Sequence, residues 1–291
     1  MVLKLSPLVL GFWRLRKWGF TAQEILALTE RAVELGITSM DHAMVYRSEA
    51  AFGEALALRP PMRDQIQIIS KCGIRPQGFG ELGAESVNHY DFSKAHTIQS
   101  VEASLRDLGT DRIDLLLLHR PDFLMDIGEV AETFAELKEA GKVLHFGVSN
   151  FTVHQLESLQ SALPDPLATN QIEFSPLQMS PLGDGTLDAA QRMGMRPMFW
   201  SALAGGRLFR PKTKREVAVV SALQGVADEV GAMSIAAVAY AWSMALPSRP
   251  HPILGTCKID RVEDAVSSLT LHLSREQWYR VWEASNGAPV P

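Results

Sequence analysis

Eight short apolar runs, partly β-branched, recur along this chain, and each ends in glycine or polar residues. They occupy residues 8–11, 37–41, 66–70, 113–119, 144–149, 168–174, 197–201 and 252–255. Continuous runs of this length suit strands buried on both faces, as in a parallel sheet. Amphipathic stretches lie between and after them, at 21–35, 49–58, 94–108, 128–140, 153–161, 186–193, 215–230, 234–245, 260–269 and 275–284. Thr21 with Glu24 three residues on reads as a capping box, and that helix stops before Gly36. Ser93 can cap 94–108, which stops before Gly109, and Ser274 precedes the last helix.

This count predicts an α/β chain closing as a (β/α)8 TIM barrel. An open doubly wound sheet also alternates but usually needs fewer strands. The polar residues favour the barrel, because its chemistry clusters at the C-terminal ends of the strands. Those ends carry Asp41, Lys71, His119, Ser149 and Asn150, Asn170 and Gln171, Ser201, and Gly255 and Thr256. A single site is expected. No linker or composition break interrupts residues 1–291, so one domain is the economical reading.

Composition narrows the partners. With 28 Lys and Arg against 33 Asp and Glu, the chain lacks the basic excess that argues for nucleic acid. Two cysteines, Cys72 and Cys257, cannot staple the fold and read as small packing residues. The first residues hold one lysine and no long apolar run, so a signal peptide is not expected. The weakly polar stretch 231–246 is short for a bilayer span and reads as a buried helix. A soluble protein of a reducing cytoplasm, with a small-molecule partner and no membrane, fits these features. The oligomeric state is not legible.

Three segments place ionisable groups at the ends of apolar strands. The first runs Asp41-His42-Ala43-Met44-Val45-Tyr46, the second ends in Lys71, and the third is Leu118-His119-Arg120-Pro121-Asp122. Singly, each residue has an ordinary reading: a turn cap for Asp41, a solvated strand end for Lys71, a core hydrogen bond for His119. Together they make a proton-transfer set. A phenol that is to protonate a substrate oxygen is a sluggish acid near neutrality. A neighbouring ammonium stabilises the phenolate and is expected to lower the phenol's pKa. A carboxylate keeps that ammonium charged, and an imidazole orients the substrate oxygen.

With these motifs in order, the sequence resembles the aldo-keto reductases, of the bacterial single-barrel oxidoreductase kind. The likeness continues through Gly147-Val148-Ser149-Asn150-Phe151, the stretch from Asn170 to Leu177, and Trp200-Ser201-Ala202-Leu203-Ala204-Gly205-Gly206. The resemblance implies a catalytic tetrad of Asp41, Tyr46, Lys71 and His119, and NADPH-dependent reduction of an aldehyde or ketone. It assigns Ser149, Asn150 and Gln171 to the nicotinamide carboxamide and Trp200 to stacking on the nicotinamide, with Ser201 and Leu203 beside it. Trp13 matches a position lining the substrate pocket. Ser149 and Asn150 can also be read as a cap for the helix that follows, and Trp13 and Trp200 as core packing.

Near the C-terminus the chain resembles the family's adenosine-phosphate segment: Arg261 matches its phosphate arginine, and Lys258 lies close enough in sequence to replace the charge missing at Gly255. Gly255 and Thr256 stand where the family commonly has Lys-Ser, Asp264 where it has Glu, and Ala265 where it has Asn. NADPH remains the expected cofactor, with NADH open. Gly78-Phe79-Gly80-Glu81-Leu82-Gly83 imitates a dinucleotide fingerprint, but no strand leads directly into it, so it reads as a flexible loop. Two other readings stay open: a cofactor-binding redox-sensing module with little turnover, and a metal-dependent barrel hydrolase using Asp41, His42, His119 and Asp122. No metal is expected. Substrate choice should lie in the loops over the barrel mouth, chiefly 73–92, where Phe79, His89 and Tyr90 stand out. Residues 1–8 leave little room for a hairpin closing the barrel bottom.

Overall fold

Local signals in the chain place most of the elements where they form. The computed structural model describes residues 3–78 and 85–291. Its barrel strands are β1 (Val9–Gly11), β2 (Ser39–Asp41), β3 (Gln67–Cys72), β4 (Ile113–Leu118), β5 (Val143–Ser149), β6 (Asn170–Glu173), β7 (Met198–Trp200) and β8 (His251–Leu254). They neighbour one another in chain order and close, with β8 beside β1, as a (β/α)8 barrel. The ladder from β2 to β5 is parallel and sets Asp41 opposite Ile69, Lys71 opposite Leu117, and Leu117 opposite Gly147.

The main helices are α1 (Ala22–Glu34), α2 (Glu49–Ala57), α3 (Lys94–Leu108), α4 (Ile127–Glu139) and α5 (Val153–Ala162). After them come α6 (Thr186–Arg192), α7 (Lys214–Val230), α8 (Ile235–Met244), α9 (Ile259–Ser267) and α10 (Arg275–Asn286). Reciprocal capping boxes open α1 (Thr21, Glu24), α5 (Thr152, Gln155), α7 (Thr213, Glu216) and α10 (Ser274, Gln277). Each cap satisfies amide groups the helix itself cannot, and is worth about 1 kcal/mol. Ser93 caps α3, and Gly109 ends that helix in the left-handed region.

The chain packs as two compact units. One is Leu10–Asn170 with the residues up to Leu5; the other is Gln171–Pro291 with Ser6–Val9. In the first, Leu115 to Leu118 are buried, and α2 lies hard against the end of α3. A Cβ at Gly53 would meet the Asp107 carbonyl oxygen at 2.1 Å, so only glycine permits that approach. In the second, Trp242 stacks between Phe174 and Trp278, at centroid distances of 5.4 and 5.0 Å. The indole N–H groups of Trp242 and Trp278 each donate to the other's carbonyl at 3.0 Å, so burial leaves neither donor unpaired. Residues 236–243 of α8 are buried, as the stretch 231–246 suggested, and no described helix is long and apolar enough to cross a membrane.

Three details depart from the sequence reading. Asn170 and Gln171 begin β6 rather than end it. Thr152, not Ser149 or Asn150, caps α5, which removes the capping role considered for that pair. A two-stranded hairpin, Ile74–Arg75 against His89–Tyr90, stands in the loop after β3. Strands of two residues are too short to show any periodicity in sequence. The Gly78–Gly83 fingerprint imitation lies, from Phe79 on, outside the described residues, and so does Phe79 as a pocket candidate. Among the described residues, 3–8 form no strand.

Candidate active site

In the first unit, three successive strands deliver the ionisable groups. Asp41 is the last residue of β2, Lys71 sits near the end of β3, and His119 follows β4. Tyr46 sits on a short 3-10 turn after β2, Met44–Tyr46. The Lys71 ammonium donates to both Asp41 oxygens at 2.8 Å and to the His42 carbonyl at 2.6 Å. All three groups are buried. That ammonium lies 4.9 Å from the centre of the Tyr46 ring. The phenol oxygen is 3.4 Å from His119 Nε2, and the two rings meet edge to face. The four residues of the expected tetrad therefore form one cluster.

Electrostatics assigns the charge states. Burial by itself would push the Lys71 ammonium down, but Asp41 and then Tyr46 outweigh it and hold lysine above its ordinary value. Lys71 is a permanent cation near neutrality. His119 is driven well below the usual imidazole range by burial, with Lys71 and Arg120 adding to the effect, so it is neutral. Tyr46 departs from the sequence expectation. Lys71 does pull the phenol down, yet burial is the larger influence, Asp41 adds to it, and the net direction is upward. A spacing in sequence shows the cation but not the depth of the phenol, and depth decides the sign.

Trp13 is 60% exposed, so it is not core packing; its ring centre lies 6.5 Å from that of Tyr46. Ser149 is buried, and its hydroxyl accepts from Asn150 Nδ2 at 2.7 Å. Asn150 has a left-handed backbone, φ 61°, and its amide also reaches the His119 carbonyl at 3.4 Å. Asn170, by contrast, exchanges hydrogen bonds with the Phe151 backbone, a local structural role.

The second unit holds the other expected residues. Gln171 is buried against Met198 Sδ, and Trp200, half-buried, ends β7. The loop after β7 carries left-handed backbone at Ser201, Ala204, Gly205 and Gly206, and Leu203 lies within it. Two of these are not glycine, a conformation kept only where the surroundings enforce it. Beside it is a cavity of about 260 Å3 lined by Gly205, Gly206, Arg207, Arg210, Lys212 and Glu216. The sequence reading missed these cations; their crowding between Arg207 and Arg215 was the available signal. After β8, Gly255, Lys258 and Arg261 are exposed, and no side chain caps the start of α9. Thr256 accepts from the Lys258 amide at 3.2 Å, while Asp264 accepts from Ser234 at 2.6 Å, the residue that caps α8. Backbone amides at a helix start, exposed cations and a cationic cavity suit a phosphate-bearing cofactor. Among the described residues, no three His, Cys, Asp or Glu side chains converge as a metal site.

A family model described as Aldo/keto reductase family matches residues 7–286, and the chain belongs to that family. It is 48% identical to oxidoreductase YdhF of Escherichia coli K12, over 98% of this chain and 95% of that protein. It is 39% identical to a 6-dehydroglucose reductase of Agrobacterium fabrum, over 99% of this chain and 97% of that protein. The solved glycerol dehydrogenase of Gluconobacter oxydans, 24% identical, superposes with a TM-score of 0.85 over 100% of this chain and 95% of its own, a likeness of fold. The protein is an oxidoreductase acting on carbonyl compounds.

Buried histidines give this fold a pH dependence. Burial, with Lys71 second, lowers His42 to about 3, and burial, with Arg196 second, lowers His251 to about 4. Unfolded, each takes up a proton near 6.5, so below that value the unfolded chain binds more protons and folded stability drops. The loss is about 1.4 kcal/mol per pH unit per histidine, ending near each folded value. The urea midpoint should therefore fall between pH 6.5 and 4.5, less steeply in His251→Gln. A flat midpoint in the parent over that range would contradict neutral burial.

Proposed function

We propose that this enzyme reduces an aldehyde or ketone to an alcohol with NADPH, acting as one domain over residues 1–291, with Tyr46 as the proton donor. The observation carrying this reading is the contiguous set of buried Asp41, Lys71 and His119 with half-buried Tyr46 among them. The bound cofactor supplies the hydride. Tyr46 donates its hydroxyl proton to the carbonyl oxygen, which becomes far more basic than a phenolate as it turns into an alkoxide. Lys71 stabilises the phenolate left behind, and Asp41 keeps Lys71 charged and in place. Neutral His119, hydrogen-bonded to Tyr46, orients the substrate oxygen without competing as an acid. Trp13 lines the substrate pocket. The redox-sensor and hydrolase readings gain no specific observation.

Ser149, Asn150, Gln171, Trp200, Ser201 and Leu203 are the proposed partners of the nicotinamide half. Gly255, Thr256, Lys258, Arg261 and Asp264 are proposed for the adenosine phosphate, and the cations lining the cavity at 207–212 are proposed as further phosphate partners. Relatives named 6-dehydroglucose reductase make an oxidised sugar the first carbonyl to test. Turnover of that substrate and of simple aldehydes with NADPH, followed by loss of nicotinamide absorbance, tests the reading; no oxidation of NADPH across the panel would overturn it.

Cofactor choice gives a sharper test. NADPH differs from NADH by a dianionic 2′-phosphate, which needs cationic or hydrogen-bonding partners. Arg261 is exposed at the start of α9, beside Lys258. Losing a charge-assisted contact of this kind costs roughly tenfold or more. Arg261→Ala should raise KM for NADPH by that factor and leave KM for NADH nearly unchanged. In the parent, the NADPH preference should weaken as salt screens the contact. Equal losses with both cofactors would remove Arg261 from phosphate recognition.

A further inference from the structure

We propose that His42 and Ser48 form a buried clamp that closes the loop bearing Tyr46 and positions its phenol against Lys71 and His119, making His42 a positioning residue. The inference rests on Tyr46 being the proton donor. His42 is fixed on three sides. Its amide donates to the Ile69 carbonyl at 2.8 Å, continuing the β2–β3 ladder one residue past Asp41. Its carbonyl accepts from the Lys71 ammonium at 2.6 Å. Its ring is fully buried, stacked on Phe12 at 4.6 Å and tilted against Phe52 at 4.5 Å.

The ring then reaches across the loop. His42 Nδ1 lies 3.1 Å from the Ser48 hydroxyl, which is also fully buried. That bond ties the two ends of the segment 42–48, and Tyr46 sits inside the closed loop. Within it, the Tyr46 amide donates to the Ala43 carbonyl at 2.9 Å, and Arg47 takes a left-handed φ of 54°. Glu49, which follows Ser48, is buried and accepts from Ser70 at 2.5 Å and Ser104 at 3.1 Å. Ser70 adjoins Lys71. Both ends of the tyrosine loop are thus pinned to the strand that carries the ammonium.

Packing alone does not call for histidine here. Nε2 is buried with no hydrogen-bond partner, a cost a phenylalanine in the same stack would avoid. The gain is at the other nitrogen. Because burial keeps the ring neutral across the working pH range, the bond to Ser48 persists as the solution is acidified or made basic. Holding a reacting group in place matters, since a displacement of about 1 Å can cost on the order of 100-fold in rate.

Ser48→Ala and His42→Phe break this bond from opposite ends, the second keeping the aromatic stack. Two readouts are combined on the full-length enzyme. The first is the titration of the Tyr46 phenol by NMR of ring-labelled tyrosine, assigned with Tyr46→Phe, and it needs no turnover. Tyr46 faces Asp41, Lys71, His119 and Arg120, so any change in its position moves its titration. The second is kcat for the reduction of an aldehyde by NADPH. We expect both single variants to shift the Tyr46 titration in the same direction and to the same extent. Each should lower kcat by roughly tenfold while KM for NADPH is kept, and the double variant should do no worse than either. A parental Tyr46 titration in Ser48→Ala, whatever the melting temperature does, would overturn the clamp. Should His42→Phe fail to fold, Ser48→Ala alone decides. If the titration shifts but the parent turns over no carbonyl, the clamp stands and the proposed function fails.

Discussion

Tyr46→Phe should abolish carbonyl reduction while leaving cofactor binding intact. The substitution removes one oxygen and little volume from a half-buried ring, so the fold loses the 3.4 Å contact with His119 and the phenol's interaction with Lys71. What it removes chemically is the single hydroxyl placed between the Lys71 ammonium and the His119 imidazole. His119 is neutral and Lys71 is a committed cation in an ion pair, so neither is poised to take over the proton transfer. General-acid catalysis of this kind contributes roughly 100- to 10,000-fold, and kcat should fall by that much. Nicotinamide fluorescence titration should give the parental affinity. A near-normal kcat would take Tyr46 out of the mechanism.

Lys71→Met should be severe in both activity and stability. In the parent, Lys71 occupies a buried junction, donating to both oxygens of Asp41 and to the His42 carbonyl. Methionine fills most of the space but leaves a buried carboxylate and a carbonyl without their donor. Breaking a buried pair from one side costs about 3–5 kcal/mol, more than a surface pair is worth. The pH window follows from the direction of the lysine shift. Burial opposes the charge, Asp41 and Tyr46 overcome it, and the folded pKa ends above the ordinary 10.5. The contribution is therefore fully present below about 10.5 and is lost as pH rises through the folded value. Urea unfolding at neutral pH should show the variant destabilised, with the gap to the parent narrowing only in strong base. Parental rates of carbonyl reduction across the pH range would refute the role of Lys71.

Much of this architecture is decided by neighbours in sequence. The capping boxes at Thr21 and Ser274, the cap at Ser93 and the stop at Gly109 arise between residues three or four apart, and all form as the residues dictate. The apolar runs that become β3 and β4 read directly as strands, because both faces are largely buried and successive residues carry the same signal. Placing Asp41, Lys71 and His119 at strand ends follows from those runs, so their convergence could be expected once a barrel was inferred. Local rules serve these features because the energies involved are local.

Other properties exist only after the chain has closed. The upward push on the Tyr46 phenol comes from depth of burial, which no spacing reports, and it reverses the sign expected from Lys71 alone. Thr152 rather than Ser149 or Asn150 caps α5 because β5 runs on through Ser149, committing the backbone there to the sheet. The cavity at Gly205, Gly206, Arg207, Arg210 and Lys212 depends on left-handed turns that leave no periodic trace. In the sequence, His42 reads only as one of four residues of a metal-ligand alternative. Its contacts with Phe12, Phe52 and Ser48 appear only when residues up to 30 positions away are folded around it. Burial, desolvation and side-chain reach across the core are properties of the folded volume, and in this protein they set the protonation states on which the chemistry turns.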